Sequence, residues 1–207
     1  MEPVLPTPLV DPGRTALLII DMQNDFVDER GVLPVPGIRR ILPQIQVLSD
    51  ACRRRDIPVI YTVLVHDDTY NLNPLTRVRF PSLQQSGLRP GSWGVEVCPE
   101  LAPQPRDIIV RKRRHSAFYG TDLEIYLRNL RGRDAIDTLV ITGTTTNVCV
   151  ESTVRDAFAR DYKVLLVADA CCAFDEHLHA ATLDNVRYIY GWVVTTQQVL
   201  DALASSA

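Results

Sequence analysis

The feature that most narrows what this chain can fold into is an alternation. The apolar runs "TALLIID" (15–21), "IPVIYTVLV" (57–65), "DIIVRK" (107–112), "DTLVITG" (137–143), "YKVLLVAD" (162–169) and "GWVVTT" (191–196) are interleaved with helical patterns near 37–55, 121–131, 148–160, 176–190 and 196–205. Runs this short and this apolar read as strands buried on both faces. A parallel neighbour is reached only through a long crossover, so strand–helix alternation implies a parallel sheet with right-handed connections and a helix layer on each side. The predicted fold is three-layer α/β/α, Rossmann-like, with a six-stranded parallel sheet.

One stretch interrupts the rhythm. Residues 66–105 hold proline, glycine and polar clusters such as "RPGSWG", too long for a plain connection, and are expected to form a lid or a partner-binding excursion. A length of 207 residues suits one large domain, taken as 15–207. Before it, "MEPVLPTPLVDPGR" has four prolines and no apolar run of signal-peptide length, so 1–14 is expected as an extended arm on a cytoplasmic protein. A formal net charge of -3 offers no broad attraction to a phosphate backbone, and no stretch approaches the length of a membrane span. Neither nucleic acid nor membrane is an expected partner; a small molecule is. The five cysteines include no C-x-x-C pair, and reduced thiols are the expectation.

In an open parallel sheet, ligands bind beyond the carboxyl ends of the strands. At that rim stand Asp21, ending the first run, Lys112, ending the third, and Cys149, following the fourth. Asp21 reads either as a turn former or as a desolvated acid. Nearby, Phe26 reads as a wall, and Asp25 and Asp28 as solvated loop charges. Lys112 is one of two lysines among 22 basic residues; strand alternation sets it with Ile108 and Val110, opposite Ile109 and Arg111. A compact ammonium can approach a carboxylate and a thiolate as a guanidinium cannot. Cys149 falls where "GTTTN" gives way to a helical pattern. It reads either as a small core hydrophobe or as a nucleophile in a helix's first turn, its pKa lowered toward thiolate. The other four cysteines read as core. Thiol, base and helix-mouth amides together supply what nucleophilic catalysis needs.

The ordered motifs "LLIIDMQNDFV", "GVLPVPG", "KRRHSAFYGTDL", "TGTTTNVCVESTVRDAF" and "DACCAF" resemble the isochorismatase-like cysteine hydrolases over nearly the whole chain. Those in "TTNVCVESTVRDAF" and "HSAFYGTDL" look closest to the branch of ureidoacrylate, biuret and N-carbamoyl amidohydrolases. The resemblance implies Asp21 as acid–base, Lys112 as its cationic partner and Cys149 as nucleophile. It also implies a non-proline cis peptide between Thr144 and Thr145, and an oxyanion hole made by the Thr145 and Cys149 amides. The implied reaction is hydrolysis of a C–N bond in a small ureido, carbamoyl or amide substrate, through a Cys149 thioester, with ammonia released. Family members commonly form dimers or tetramers, so a homo-oligomer is implied.

Relatives that cleave nicotinamide carry a metal site after the second strand. Here "VLVHDDTYNLNP" offers His66 without a second histidine, so neither metal nor other cofactor is expected. His177 and His179, two apart on a helix, face different ways and read as surface histidines. Phe26, Trp93, His115, Phe118 and Asn147 are the expected substrate contacts, each in or beside a motif. Three rivals stay open: a nicotinamide-type or cyclic-amide hydrolase, a non-catalytic binding protein of the same fold, and a redox sensor pairing Cys149 with Cys171 or Cys172. The chemical type of the residues at 21, 112 and 149 argues against the binding protein, and nothing in the cysteine spacing favours the sensor.

Overall fold

The structure is a computed structural model and describes residues 9–67, 74–79, 87–130, 132 and 136–205. Six parallel strands, β1 (Thr15–Ile20), β2 (Val59–Leu64), β3 (Ile108–Lys112), β4 (Thr138–Thr144), β5 (Lys163–Cys172) and β6 (Trp192–Val194), form one sheet in the order β3-β2-β1-β4-β5-β6. The expected α/β fold with a six-stranded parallel sheet is what the chain adopts. The central strands β1, β2 and β4 are buried along their whole length, as their unbroken apolar runs require. Edge strand β3 departs from that reading. Val110 and Lys112 are buried while Ile109 and Arg111 are exposed, the alternation of a strand covered on one face.

Alternate residues of β1 feed two separate cores. Leu17 and Ile19 join Ile45 and Leu48 of α2 (Leu42–Arg54) and Val199 and Leu203 of the C-terminal helix. Ala16, Leu18 and Ile20 join Leu123 and Leu127, Val154 and Ala157, and Val186. The helices that carry these residues are α4 (Leu123–Asn129), α5 (Glu151–Phe158) and α7 (Thr196–Ser205), with Val186 just beyond the end of α6 (Glu176–Asn185); α1 (Asn24–Val27) and α3 (Pro74–Arg79) are short. Helix α2 follows from its apolar residues at helical spacing and a proline in its first turn, where the missing N–H costs no bond. Helix α6 starts at Asp175, whose carboxylate accepts from the His177 and Leu178 amides at 2.7 and 3.4 Å. The helical patterns at 148–160 and 176–190 differ from an uninterrupted α-helix: π-helical turns occupy Thr146–Val150 and Val186–Tyr190.

Residues 1–8 of the expected arm lie outside the described residues. Its inner part is not free: Val10 is buried in the core and Arg14 pairs with Asp137 at 2.7 Å. The described parts of 66–105 fold back on the segment after β1. Asn24 N–H donates to Glu96 O at 2.9 Å, Cys98 N–H to Met22 O at 2.9 Å, and Gln23 bridges Val97. The remainder of that excursion, 68–73 and 80–86, lies outside the described residues.

One glycine sets the spacing at the sheet's rim. Gly143 has φ +111°, and a Cβ there would stand 2.1 Å from Ile20 O. Only a residue without a side chain lets the ends of β4 and β1 approach this closely.

Candidate active site

Strand order reverses between β1 and β4, and the elements leaving their carboxyl ends meet there with the end of β3. Asp21 leaves β1 in the left-handed region, φ +50°. Its N–H donates to Thr62 O at 3.1 Å, and the Thr62 hydroxyl donates to its Oδ1 at 2.6 Å. Lys112 Nζ lies 2.7 Å from the other carboxylate oxygen and donates to Arg114 O at 3.1 Å. Both side chains are wholly shielded from solvent. A buried pair of this kind persists only with its remaining polar atoms engaged, and Thr62 and the Arg114 carbonyl engage them.

Cys149 is buried on the third side of this pair, and its thiol interacts with both the carboxylate and the ammonium. It sits in the π-helical turn Thr146–Val150, not in the first turn of an α-helix. Burial first, then the Asp21 charge, push the thiol up to about 12, against the opposing pull of Lys112. The expected lowering toward thiolate therefore does not hold in the resting site. Lys112 is held above its ordinary value: burial acts to lower it, but Asp21 and Cys149 outweigh that. The Thr144–Thr145 peptide is cis.

Two hydroxyls fix the turn that carries the thiol. Thr153 donates to Cys149 O at 2.7 Å and accepts from Ala117 N–H at 3.0 Å, tying α5 to the loop after β3. Thr146 Oγ1 lies 2.9 Å from His179 Nδ1. His179 is thus buried, against the reading of a surface histidine, while His177 is exposed. Burial holds His179 below its ordinary pKa. The loop latched by Thr153 brings His115 Nδ1 to 3.6 Å from Cys149 Sγ; burial first, then Lys112, hold His115 below its ordinary value.

Above the thiol opens a cavity of about 330 Å³ lined by Phe26, Leu33, Leu64, His66, Leu88, His115, Thr145, Val148, Cys149 and Phe174. Of the expected substrate contacts, Phe26 and His115 reach it. Trp93 lies outside, half-exposed beneath the Arg30 guanidinium at 4.7 Å. Phe118 packs in the core, 5.8 Å from the Tyr162 ring, with Arg160 above it at 4.9 Å. Asn147 is absent from the lining, with its Oδ1 buried and unbonded. Leu33, Leu64, Leu88, Val148 and Phe174 escaped the sequence reading because nothing in an isolated apolar residue tells cavity wall from core.

Asp25 corrects another expectation. Asp28 does sit toward solvent, paired with Arg30 at 2.8 Å, but Asp25 is buried. Its carboxylate accepts from Leu88 N–H at 2.6 Å and Val32 N–H at 3.2 Å, and its carbonyl from Leu33 N–H at 3.0 Å. Gly94 leaves room for it: a Cβ there would meet the carboxylate at 2.3 Å. The signal was present in "NDFV" followed by "GVLP", but which acid turns inward depends on the partners it meets. His66 lines the cavity, and among the described residues no three His, Cys, Asp or Glu side chains are grouped as a metal site. Nor, among the described residues, is any helix long and apolar enough to cross a membrane.

The chain is similar to known proteins over nearly its whole length. The model of the isochorismatase domain matches residues 15–198. A cysteine hydrolase from Pseudomonas syringae pv. phaseolicola 1448A is similar at 33% identity and a TM-score of 0.92, over 100% of this chain and 99% of that one. An N-carbamoylsarcosine amidase from Thermoplasma acidophilum superposes with a TM-score of 0.74 at 29% identity, over 88% of this chain and 96% of its own. A nicotinamidase from Bacillus subtilis gives 0.78 at 29%, over 88% and 99%. With its sheet order, its matched span and these neighbours, the chain belongs to the isochorismatase family of hydrolases.

Proposed function

We propose that the protein is a cysteine amidohydrolase that cleaves the C–N bond of a small ureido, carbamoyl or amide substrate. The observation that carries this reading is the arrangement of Asp21, Lys112 and Cys149 at one end of an apolar cavity, with Thr145 on its wall. An N-carbamoylsarcosine amidase and a nicotinamidase among the structural neighbours agree with it.

In the first half-reaction the Asp21 carboxylate takes the Cys149 proton as sulfur bonds to the substrate carbonyl carbon. A thiol pushed up to about 12 gives up its proton only as that bond forms, so transfer and attack are coupled. The carbonyl oxygen becomes an oxyanion held by the Thr145 and Cys149 amides; one such donor is worth about 2.7–4 kcal/mol in enzymes where it has been removed. Protonated Asp21 then hands the proton to the leaving nitrogen, the C–N bond breaks and ammonia departs. The acyl or carbamoyl group stays on sulfur. In the second half Asp21 takes a proton from water, the hydroxyl adds to the thioester carbon and the C–S bond breaks. Sulfur recovers its proton from Asp21, and the acid or carbamate leaves. Lys112 keeps its proton throughout and steadies the negative charge that passes between carboxylate and thiolate.

Ammonia release from biuret, ureidoacrylate, N-carbamoyl amino acids, nicotinamide and simple amides tests the reading, with Cys149→Ala beside the parent enzyme. Turnover of at least one compound, lost by a factor of about 10³ or more in Cys149→Ala, is expected. Silence of the parent enzyme across the panel would sink it.

A further inference from the structure

The cavity has a composition that the family resemblance does not foretell. Six of its ten lining residues, Phe26, Leu33, Leu64, Leu88, Val148 and Phe174, are hydrocarbon, and among the described residues no lysine or arginine lines it. The ionisable side chains on the wall are His66, His115 and Cys149, none a permanent cation. The nearest ammonium, Lys112, is already committed to Asp21 at 2.7 Å and to Arg114 O at 3.1 Å. The Arg114 guanidinium donates to the Arg113 carbonyl at 2.8 Å, and Arg30 lies over Trp93 at 4.7 Å, outside the cavity. Arg89, next to the wall residue Leu88, donates to the His66 carbonyl at 3.4 Å and is not part of the lining. Among the described residues, a substrate carboxylate entering here would lose its water and meet no lysine or arginine on the wall, whereas a hydrocarbon group would meet its own kind on most sides.

We infer that the cavity selects uncharged substrates, primary amides or ureas bearing a compact apolar group, and rejects their carboxylate-bearing counterparts. The inference rests on the amidohydrolase reading for the bond broken, but on the wall residues alone for the group accepted. It singles out isobutyl-sized and single-ring substituents: a volume of about 330 Å³ stands at the small end of ligand pockets. It argues against ureidoacrylate, biuret being uncharged but lacking the apolar group.

Two matched pairs test it, because a carboxylate and an isopropyl group share a branched outline. Isovaleramide is paired with malonamate, and isobutylurea with N-carbamoylglycine. Binding to Cys149→Ala is followed by calorimetry, and ammonia release by the parent enzyme. The apolar member of each pair is expected to bind, and to show a kcat/KM at least about 100-fold above its anionic twin, as befits a carboxylate desolvated without a partner. Equal or tighter binding of malonamate or N-carbamoylglycine would overturn the inference, as would failure of all four to bind. Binding of the apolar pair with no ammonia released from either would instead sink the amidohydrolase reading and leave the selectivity standing. Phe174→Arg supplies the missing cation at a half-exposed position on the wall. It is expected to shrink the discrimination about tenfold or more; an unchanged ratio would show that wall polarity is not its cause and overturn the inference.

Discussion

The thiol of Cys149 is held at about 12 by burial and by Asp21, with Lys112 alone pulling it down. The thiol is therefore held protonated, beside the Asp21 carboxylate that the proposed mechanism makes its proton acceptor. Modification of Cys149 by iodoacetamide, followed by mass spectrometry of its peptide, should be slow at pH 7 and keep rising past pH 9, with no plateau near neutrality. Lys112→Met removes the one group that favours thiolate, so the rate at pH 9 should drop by about tenfold or more, one pKa unit being a factor of ten. A plateau below pH 8 would contradict the assignment. At this scale the sequence was legible in residue type: Asp21, Lys112 and Cys149 stand where their run endings put them. What it did not reveal was their electrostatic balance. The dipole argument considers one terminus, whereas the thiol answers to desolvation, a carboxylate and an ammonium together. His115 shows the same limit, an expected substrate contact whose ring nitrogen also lies 3.6 Å from the sulfur.

Among elements, the segment after β1 organises the most. Asp25 in α1 grips the Leu88, Val32 and Leu33 backbones, two of which carry walls of the cavity. Asp25→Ala would strand two amide donors and release those walls. The expected result is a loss of about 1–3 kcal/mol in stability for the unmade bonds and a rise in KM that exceeds the fall in kcat, since no group of the Asp21–Lys112–Cys149 cluster is touched. A fall in kcat alone would show that Asp25 serves chemistry instead. Periodicity found every strand to within a few residues because the central runs are buried on both faces. The π-helical turn at Thr146–Val150 was illegible: its sequence has ordinary helical spacing, and its contacts with the Thr153 hydroxyl and with His179, 33 residues on from Thr146, appear only in the folded chain.

For the molecule as a whole, buried titratable groups set the pH range of stability. His115 and His179 have folded pKa values lowered chiefly by burial. Below about 6.5 the unfolded chain takes up protons that the folded one refuses, so stability is complete above that value and falls as pH drops toward the folded values. Cys52, Cys98 and Cys149 are raised from 9.0 to about 12, burial being the first cause. There the sign reverses: their contribution is complete below about 9 and is lost as pH climbs toward 12. Melting temperature should thus peak between about pH 6.5 and 9, and His179→Gln should flatten the acid limb; an unaltered limb would place the linkage elsewhere. The sheet order was not in the run order, yet the fold class was, because alternation leaves few ways to cover both faces of a parallel sheet. One consequence follows from Lys112 lying on β3, an outer strand with Ile109 and Arg111 bare to solvent. Border strands fray before central ones, and here fraying would withdraw the counter-ion from Asp21 while β1 and β4 still hold together. Heat would then silence the chemistry first and dissolve the architecture afterwards.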